Sequence, residues 1–279
     1  MSPPIATPRS RALGFGLRKA RKARGYGLRE LARATDVHAA ELSNWELGLR
    51  VPKIEEVALL LGQLRVLGAE RDRLFELART AREPNWLEKE MPDAPAILTS
   101  LAEYERTAAA IFSWQPMLVH GLLQTPDYAR TILAYGGSAP QLVEQRLRVR
   151  TIRQTAMREH RAPEYSIVLG EAALRQEIGG TEILTEQLRY LVGLPRRLAV
   201  RVVPAGGGFH PGLNGSFSVF EYSDLPAIVF LDQHRGSAYI YDEDQVTDYK
   251  SAAKTMGSLA LDVDESRAFI EGVIAELEA

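Results

Sequence analysis

GYGLRELARATDVHAAELSNWELGLRVP, residues 25–52, reads as two short helices joined by a tight turn. Leu28, Leu31 and Ala32 share one face of the first helix, because residues three and four apart are helical neighbours. Asp36 and Val37 interrupt the pattern. A second helix follows, with Leu42 and Trp45 three apart and turned inward. Val37 and Leu42 are placed to fill the angle between the two, which leaves Arg29, Arg33, His38, Ala39, Ala40, Glu41, Ser43 and Asn44 outside. That is the layout of a helix-turn-helix, in which the second helix enters the DNA major groove. A plain α-helical hairpin with a solvated basic face is the simpler alternative, but it gives no reason for Glu46-x-Gly48-x-Arg50-x-Pro52 after the second helix.

Outward from this stretch the chain stays helical. Residues 11–24 predict a helix with Leu13, Leu17 and Ala20 inward and Arg18, Lys19 and Lys22 outward, ended by Gly25. Pro52 opens a fourth helix through Ile54, Val57, Leu60, Leu61 and Leu64. A fifth, residues 70–82, buries Leu74, Leu77 and Ala78. Residues 1–10 read as a disordered arm, residues 11–83 as the helical domain, residues 84–96 as a proline-bearing linker and residues 97–279 as a second domain. The net charge of −2 hides an asymmetry. Residues 1–83 carry sixteen Lys/Arg against ten Asp/Glu, and nine of those cations precede Asp36. A basic half joined to an acidic half suits a polyanion binder that carries a different second function.

Here the chain resembles the Cro/C1-type, lambda-repressor-like helix-turn-helix family. The match lies in Leu31-Ala32, Val37, Leu42-Ser43 and Glu46-x-Gly48-x-Arg50-x-Pro52, with Leu17-Arg18 and Arg21 upstream. Three positions depart from it: Leu28 replaces a glutamine, Asp36 the turn glycine and His38 a capping serine. The resemblance implies a transcriptional regulator that binds double-stranded DNA. It also implies a structural ion pair between Arg21 and Glu46. From the residues themselves, Arg18, Arg29 and Arg50 suit phosphate, which sets affinity without sequence information. The start of the second motif helix suits base reading. Asn44 can bind adenine, Glu41 can accept from cytosine, Ala39 or Ala40 can touch a thymine methyl, and Ser43 or His38 can hold backbone.

The second half predicts an α+β domain with a small, mainly antiparallel sheet. Helices are expected over 97–112, from Pro126 behind a Thr125 cap, over 139–159, and within 171–194. Short β-branched or aromatic runs follow at 165–169, 199–203, 216–222, 227–231 and 238–241. The last four are consecutive, which favours antiparallel pairing, and two helices finish the chain, the last capped by Asp264. The arginines of 146–158 suggest a second nucleic-acid surface, but the interleaved apolar residues favour an interfacial or solvated face. GLLQTPDYAR, Arg150-x-x-Arg153-Gln154, LGEAALRQEIGG, Gln187-Leu188-x-x-Leu191, VVPAGGGFHPGLNGSFSVFEY and IVFLD are similar to an uncharacterised domain. It forms the C-terminal part of many actinobacterial Cro/C1-type regulators. His120 and Asp232 depart from its usual proline and glutamate. That resemblance implies regulation, and a small acidic partner protein encoded nearby.

Several chemistries are excluded or disfavoured. The absence of cysteine removes disulfide, thiol and cysteine–zinc chemistry and fits a cytoplasmic setting. The five histidines show no metal-ligand spacing. Gly206-Gly207-Gly208 lacks the Lys-Ser/Thr of a phosphate loop. No apolar run approaches a membrane span, and the residues at the start have no signal-peptide core. His210, Asp232 and Tyr239 are candidate ligand-pocket residues, against the plainer reading of satisfied polar groups and sheet core. The expectation is a homodimeric, cofactor-free, non-enzymatic DNA-binding regulator whose C-terminal domain dimerises and senses a ligand or small protein. The alternative is an antitoxin-like binder of a small neighbouring protein.

Overall fold

The structure is a computed structural model that describes residues 6–135, 137–159, 162–233 and 236–279. The chain divides into two compact units, residues 1–104 and 105–279.

The first unit is helical: α1 (Pro8–Ala23), α2 (Leu28–Ala34), α3 (Ala39–Glu46), α4 (Ile54–Gln63), α5 (Gly68–Thr80), α6 (Trp86–Glu90) and the start of α7 (Ala96–Thr107). Leu13 and Leu17, Leu31, Leu42 and Trp45, Leu60 and Leu61, and Leu74 meet in one apolar core, each contributed by the inward stripe of its helix. Two boundaries differ from expectation. Helix α1 starts at Pro8, inside the expected arm, because Thr7 and Ser10 exchange capping hydrogen bonds with each other's backbone N–H, at 3.2 and 2.9 Å. Residues 1–5 of that arm lie outside the described residues. The expected linker holds α6. Asn85 Oδ1 accepts from Leu87 N and Glu88 N, both at 3.0 Å, and Leu87 is fully buried.

The second unit is built on a six-stranded sheet. Its strands are β1 (Ala110–Gln115), β2 (Glu164–Gly170), β3 (Arg201–Val203), β4 (Phe217–Glu221), β5 (Ile228–Gln233) and β6 (Gly236–Ile240). They lie in the order β3-β2-β1-β4-β5-β6. Strand β1 pairs parallel with β2 and β2 with β3, whereas β1–β4, β4–β5 and β5–β6 are antiparallel. Two expectations are corrected here. Residues 110–112 belong to central strand β1, not to a helix reaching 112; a short apolar run does not distinguish the two by periodicity. Residues 201–203 run parallel to β2 at the far edge, because the connection from β2 carries α10 (Glu171–Arg175) and α11 (Thr181–Val192) as a crossover.

Side chains alternate across the sheet. Ile167, Leu169 and Val202 face a core completed by Leu184, Leu188, Ile270 and Val273 of α11 and α13 (Val263–Leu277), with Tyr128 of α8 (Pro126–Ala134). Trp114, Val168, Phe217, Val219 and Val229 face a second core closed by Val246, Ala253 and Met256 of α12 (Glu243–Leu259). Helix α9 (Pro140–Met157) completes the unit. Asp262, not Asp264, caps α13, accepting from Asp264 N and Glu265 N at 2.8 Å. Thr125 gives α8 no side-chain cap; its backbone N–H donates instead to Gln187 Oε1 at 2.7 Å.

Candidate nucleic-acid interface

The α2–α3 turn is made by Asp36, at φ +52°, a left-handed conformation that Asp tolerates better than most residues with a Cβ. Behind it, Val37 N donates to Ala32 O at 2.9 Å and Thr35 Oγ1 to Leu31 O at 2.8 Å, closing the end of α2. Helix α3 is then pressed onto α1. A Cβ at Gly14 would lie 2.3 Å from the Trp45 carbonyl oxygen, so only glycine permits this approach. Gly48, at φ +73°, ends the motif, and a Cβ there would meet the Arg11 backbone at 2.7 Å. Ser10 Oγ donates to Gly48 O at 2.7 Å and fixes the turn.

Beneath α3, Arg21 and Glu46 form a bidentate pair, with Nε–Oε1 at 2.6 Å and Nη2–Oε2 at 2.8 Å, while Arg21 Nη1 donates to Tyr26 O. Their side chains are only 10% and 5% exposed. The hydrogen bonds that Arg21 donates to Glu46 raise its pKa above the ordinary value, against the opposing effect of burial. With Leu42, Trp45 and Glu46 turned inward, α3 presents its remaining face to solvent. Ala40 is exposed, and Ala39, Glu41, Ser43 and Asn44 are half-buried. Among the described residues, no hydrogen bond or ion pair within the protein engages the side chains of Glu41, Ser43 or Asn44. Arg29, Arg50 and His38 are exposed and Arg18 is half-buried. His38 occupies the N-cap position of α3 but makes no side-chain cap bond.

Not every cation at this end is available for phosphate. Arg24 caps the end of α4, donating to Leu64 O at 2.8 Å and Arg65 O at 2.9 Å, and Arg82 donates to Val51 O at 2.8 Å. Sequence reading gave Arg24 no such role. The available signal was a cation just past the end of α1, but its acceptors lie forty residues on.

The sequence model described as Domain of unknown function (DUF5753) matches residues 98–272, more than half of the chain. The chain belongs to the DUF5753 family. A second model, Helix-turn-helix, matches residues 17–68, so a Cro/C1-type helix-turn-helix domain precedes the DUF5753 domain. No curated protein and no solved structure matches the chain.

Within the DUF5753 domain the residues of the quoted motifs hold one another. Gln187, fully buried on α11, donates to Leu123 O at 2.8 Å and accepts from Thr125 N. Gln124 Nε2 donates to Val119 O at 2.7 Å, its Oε1 accepts from Arg150, and its backbone carbonyl accepts from Gln154. Arg153 clasps Glu105 at 2.8 and 2.5 Å. The arginines of α9 therefore do not form one solvated face: Arg150 and Arg153 turn inward. Burial lowers the Arg150 pKa to about 10, with Arg153 adding to the effect. For Arg153 the Glu105 carboxylate outweighs a large burial effect, and its pKa is raised. Burial, then the two guanidinium groups, lowers the pKa of the nearby His120 to about 3, so this imidazole is neutral.

The three candidate pocket residues are not brought together. His210 packs edge-on against Trp114, with centroids 5.9 Å apart, on the α12 side of the sheet. Tyr239 pairs with Phe230 on the opposite face, where burial raises its pKa. Asp232 accepts from Ser237 Oγ at 2.9 Å at the end of β5. Among the described residues there is no group of three or more His, Asp or Glu able to hold a metal ion, and no helix long and apolar enough to cross a membrane. His160 and His234 lie outside the described residues.

Proposed function

We propose that the protein is a sequence-specific transcriptional regulator that binds duplex DNA through α3. One observation carries the reading: a helix held rigidly by Gly14, Gly48 and the Arg21–Glu46 pair displays Glu41, Ser43 and Asn44 with their hydrogen-bonding groups unused by the protein. Polar groups that a fold leaves unsatisfied on a rigid helix suit base edges, and rigidity makes their spacing readable. Arg29 and Arg50 flank that face as phosphate contacts, with Arg18 and His38 completing the backbone contacts. Ala39 and Ala40, at the start of α3, suit a thymine methyl.

A single helix-turn-helix contacts one half-site, so the operator is read by a homodimer, with the DUF5753 domain supplying dimerisation and a surface for a ligand or small partner protein. The test is fluorescence anisotropy with the duplex upstream of the protein's own gene, together with sedimentation of protein and complex. Saturable binding that weakens steeply with salt, at two protomers per site, is expected. A monomer at micromolar concentration with and without DNA removes the dimer; indifference to every duplex at low salt removes the function.

A further inference from the structure

Helix α9 packs on α8 through Ala129, Val143 and Leu147. Beside that contact, α9, the start of α8 and Gln124 border a pocket of about 250 Å³. Small-molecule sites run to roughly 300–1,000 Å³, so this one suits a compact ligand. Pro126, Ala129 and Leu147 give it an apolar side. Leu147, Thr151 and Gln154 form a stripe along α9, since residues three and four apart share a helix face. Arg148 and Arg150, two positions apart, border the pocket from either side of that stripe.

Charge at the pocket is unbalanced. Its lining residues include Arg130, Arg148 and Arg150 but only one carboxylate, Glu144. Arg130 already holds Glu144 at 3.3 Å and Asp127 at 2.9 Å. Arg148 is exposed and has no ion-pair or hydrogen-bond partner among the described residues. Arg150 is half-buried, and its guanidinium donates only to the neutral Gln124 amide oxygen among them. Asp232 acts on it from a distance, and the residues outside the description include no Asp or Glu. Burial, then Arg153, lowers the Arg150 pKa to about 10, as an unneutralised cation requires. Arg21 and Arg153 each clasp a carboxylate through two hydrogen bonds; Arg150 presents the same fork without one. A cation drawn from water without a counter-charge is costly, and an oxyanion from outside would supply that charge. A cationic ligand would be repelled, and a neutral one would leave the imbalance in place.

We propose that this pocket binds a small organic oxyanion, a carboxylate or phosphate monoester, between Arg150 and Arg148. The apolar body of the ligand lies against Pro126, Ala129 and Leu147. The proposal rests on the reading of the DUF5753 domain as the sensing half of a regulator, and it names the chemistry sensed.

Isothermal titration calorimetry of the full-length protein with phenyl phosphate, benzoate and the neutral benzamide, at one salt concentration, tests this. At least one anion is expected to bind saturably, about tenfold or more tighter than benzamide, and the tighter of the two names the group recognised. Arg148→Gln, at an exposed side chain that the fold does not use, is expected to weaken that anion by about tenfold. Arg150→Gln is expected to abolish binding; if that variant does not fold, Arg148→Gln decides. The double variant Arg29→Gln, Arg50→Gln controls for phosphate contacts in the helix-turn-helix domain and is expected to bind the anion as the wild type does. No anion binding, equal affinity for benzamide, an affinity unchanged in Arg148→Gln, or a loss in the helix-turn-helix variant instead would each overturn the proposal. The upstream duplex is titrated into the same wild-type preparation. Duplex binding without anion binding removes this inference and leaves the regulator; anion binding without duplex binding leaves the site and removes the regulator.

Discussion

Helix α3 and helix α9 both carry polar side chains at helical spacing, and the two regions dispose of them in opposite directions. In the helix-turn-helix domain Glu41, Ser43 and Asn44 face solvent unengaged, while a single carboxylate, Glu46, turns in to meet Arg21. In the DUF5753 domain Arg150 and Arg153 turn in, toward Gln124 and Glu105, beside a neutral His120. The first arrangement leaves hydrogen-bonding capacity for a partner. The second uses it to hold α9 in place, so an arginine-rich helix is not by itself a nucleic-acid surface. The Arg21–Glu46 and Arg153–Glu105 pairs are thus braces, whereas the polar face of α3 is the one proposed as a reader.

The sharpest way to break this comparison is to remove one member of each brace. Glu105→Ala strands the Arg153 guanidinium and Glu46→Ala strands that of Arg21. Each is expected to cost about 3–5 kcal/mol, because an unpaired buried charge is left behind. Denaturant melts that match the wild type would show that these pairs are not braces.

Acid separates the two domains. The His120 pKa lies at about 3 in the fold against an ordinary 6.5, so between these values the unfolded chain binds the extra proton. Its contribution is complete above pH 6.5 and is lost as pH falls toward 3, by about 2 kcal/mol at pH 5. The DUF5753 transition should therefore weaken on acidification, and His120→Gln should flatten that dependence. An unchanged slope in the variant would place the sensitivity elsewhere.

Gly48→Ala probes the turn that fixes α3. A left-handed φ and a 2.7 Å contact with the Arg11 backbone predict a loss of about 2 kcal/mol or more in the helix-turn-helix transition. A neutral substitution would mean that α3 is less tightly fixed than its role as reader demands.

What the sequence disclosed follows from the range of the interactions. The helix-turn-helix was legible because its determinants are local: Leu31, Leu42 and Trp45 at helical spacing, and a glycine two residues after Glu46. Its ends were less so, since Thr7 and Asn85 cap helices that begin where proline-bearing stretches suggested arm and linker. In the DUF5753 domain the determinants are distant in sequence. Strand β1 is recognisable only from its partners, Glu164–Leu169 and Phe217–Glu221. The inward turn of Arg150 and Arg153 depends on Gln124 and Glu105, dozens of residues away. His210, Asp232 and Tyr239 looked like a pocket because each is a functional residue type near a strand end, yet the loop before β4 packs His210 against Trp114 on the α12 side while Tyr239 projects with Phe230 on the other face.

The smallest expected change is in free energy, and it is the most direct test of α3 as the reader. Asn44→Ala, measured by anisotropy on the cognate duplex and on random duplex at one salt concentration, should lose roughly 1–3 kcal/mol on the cognate site alone. Equal losses on both duplexes, or none on either, would contradict the account.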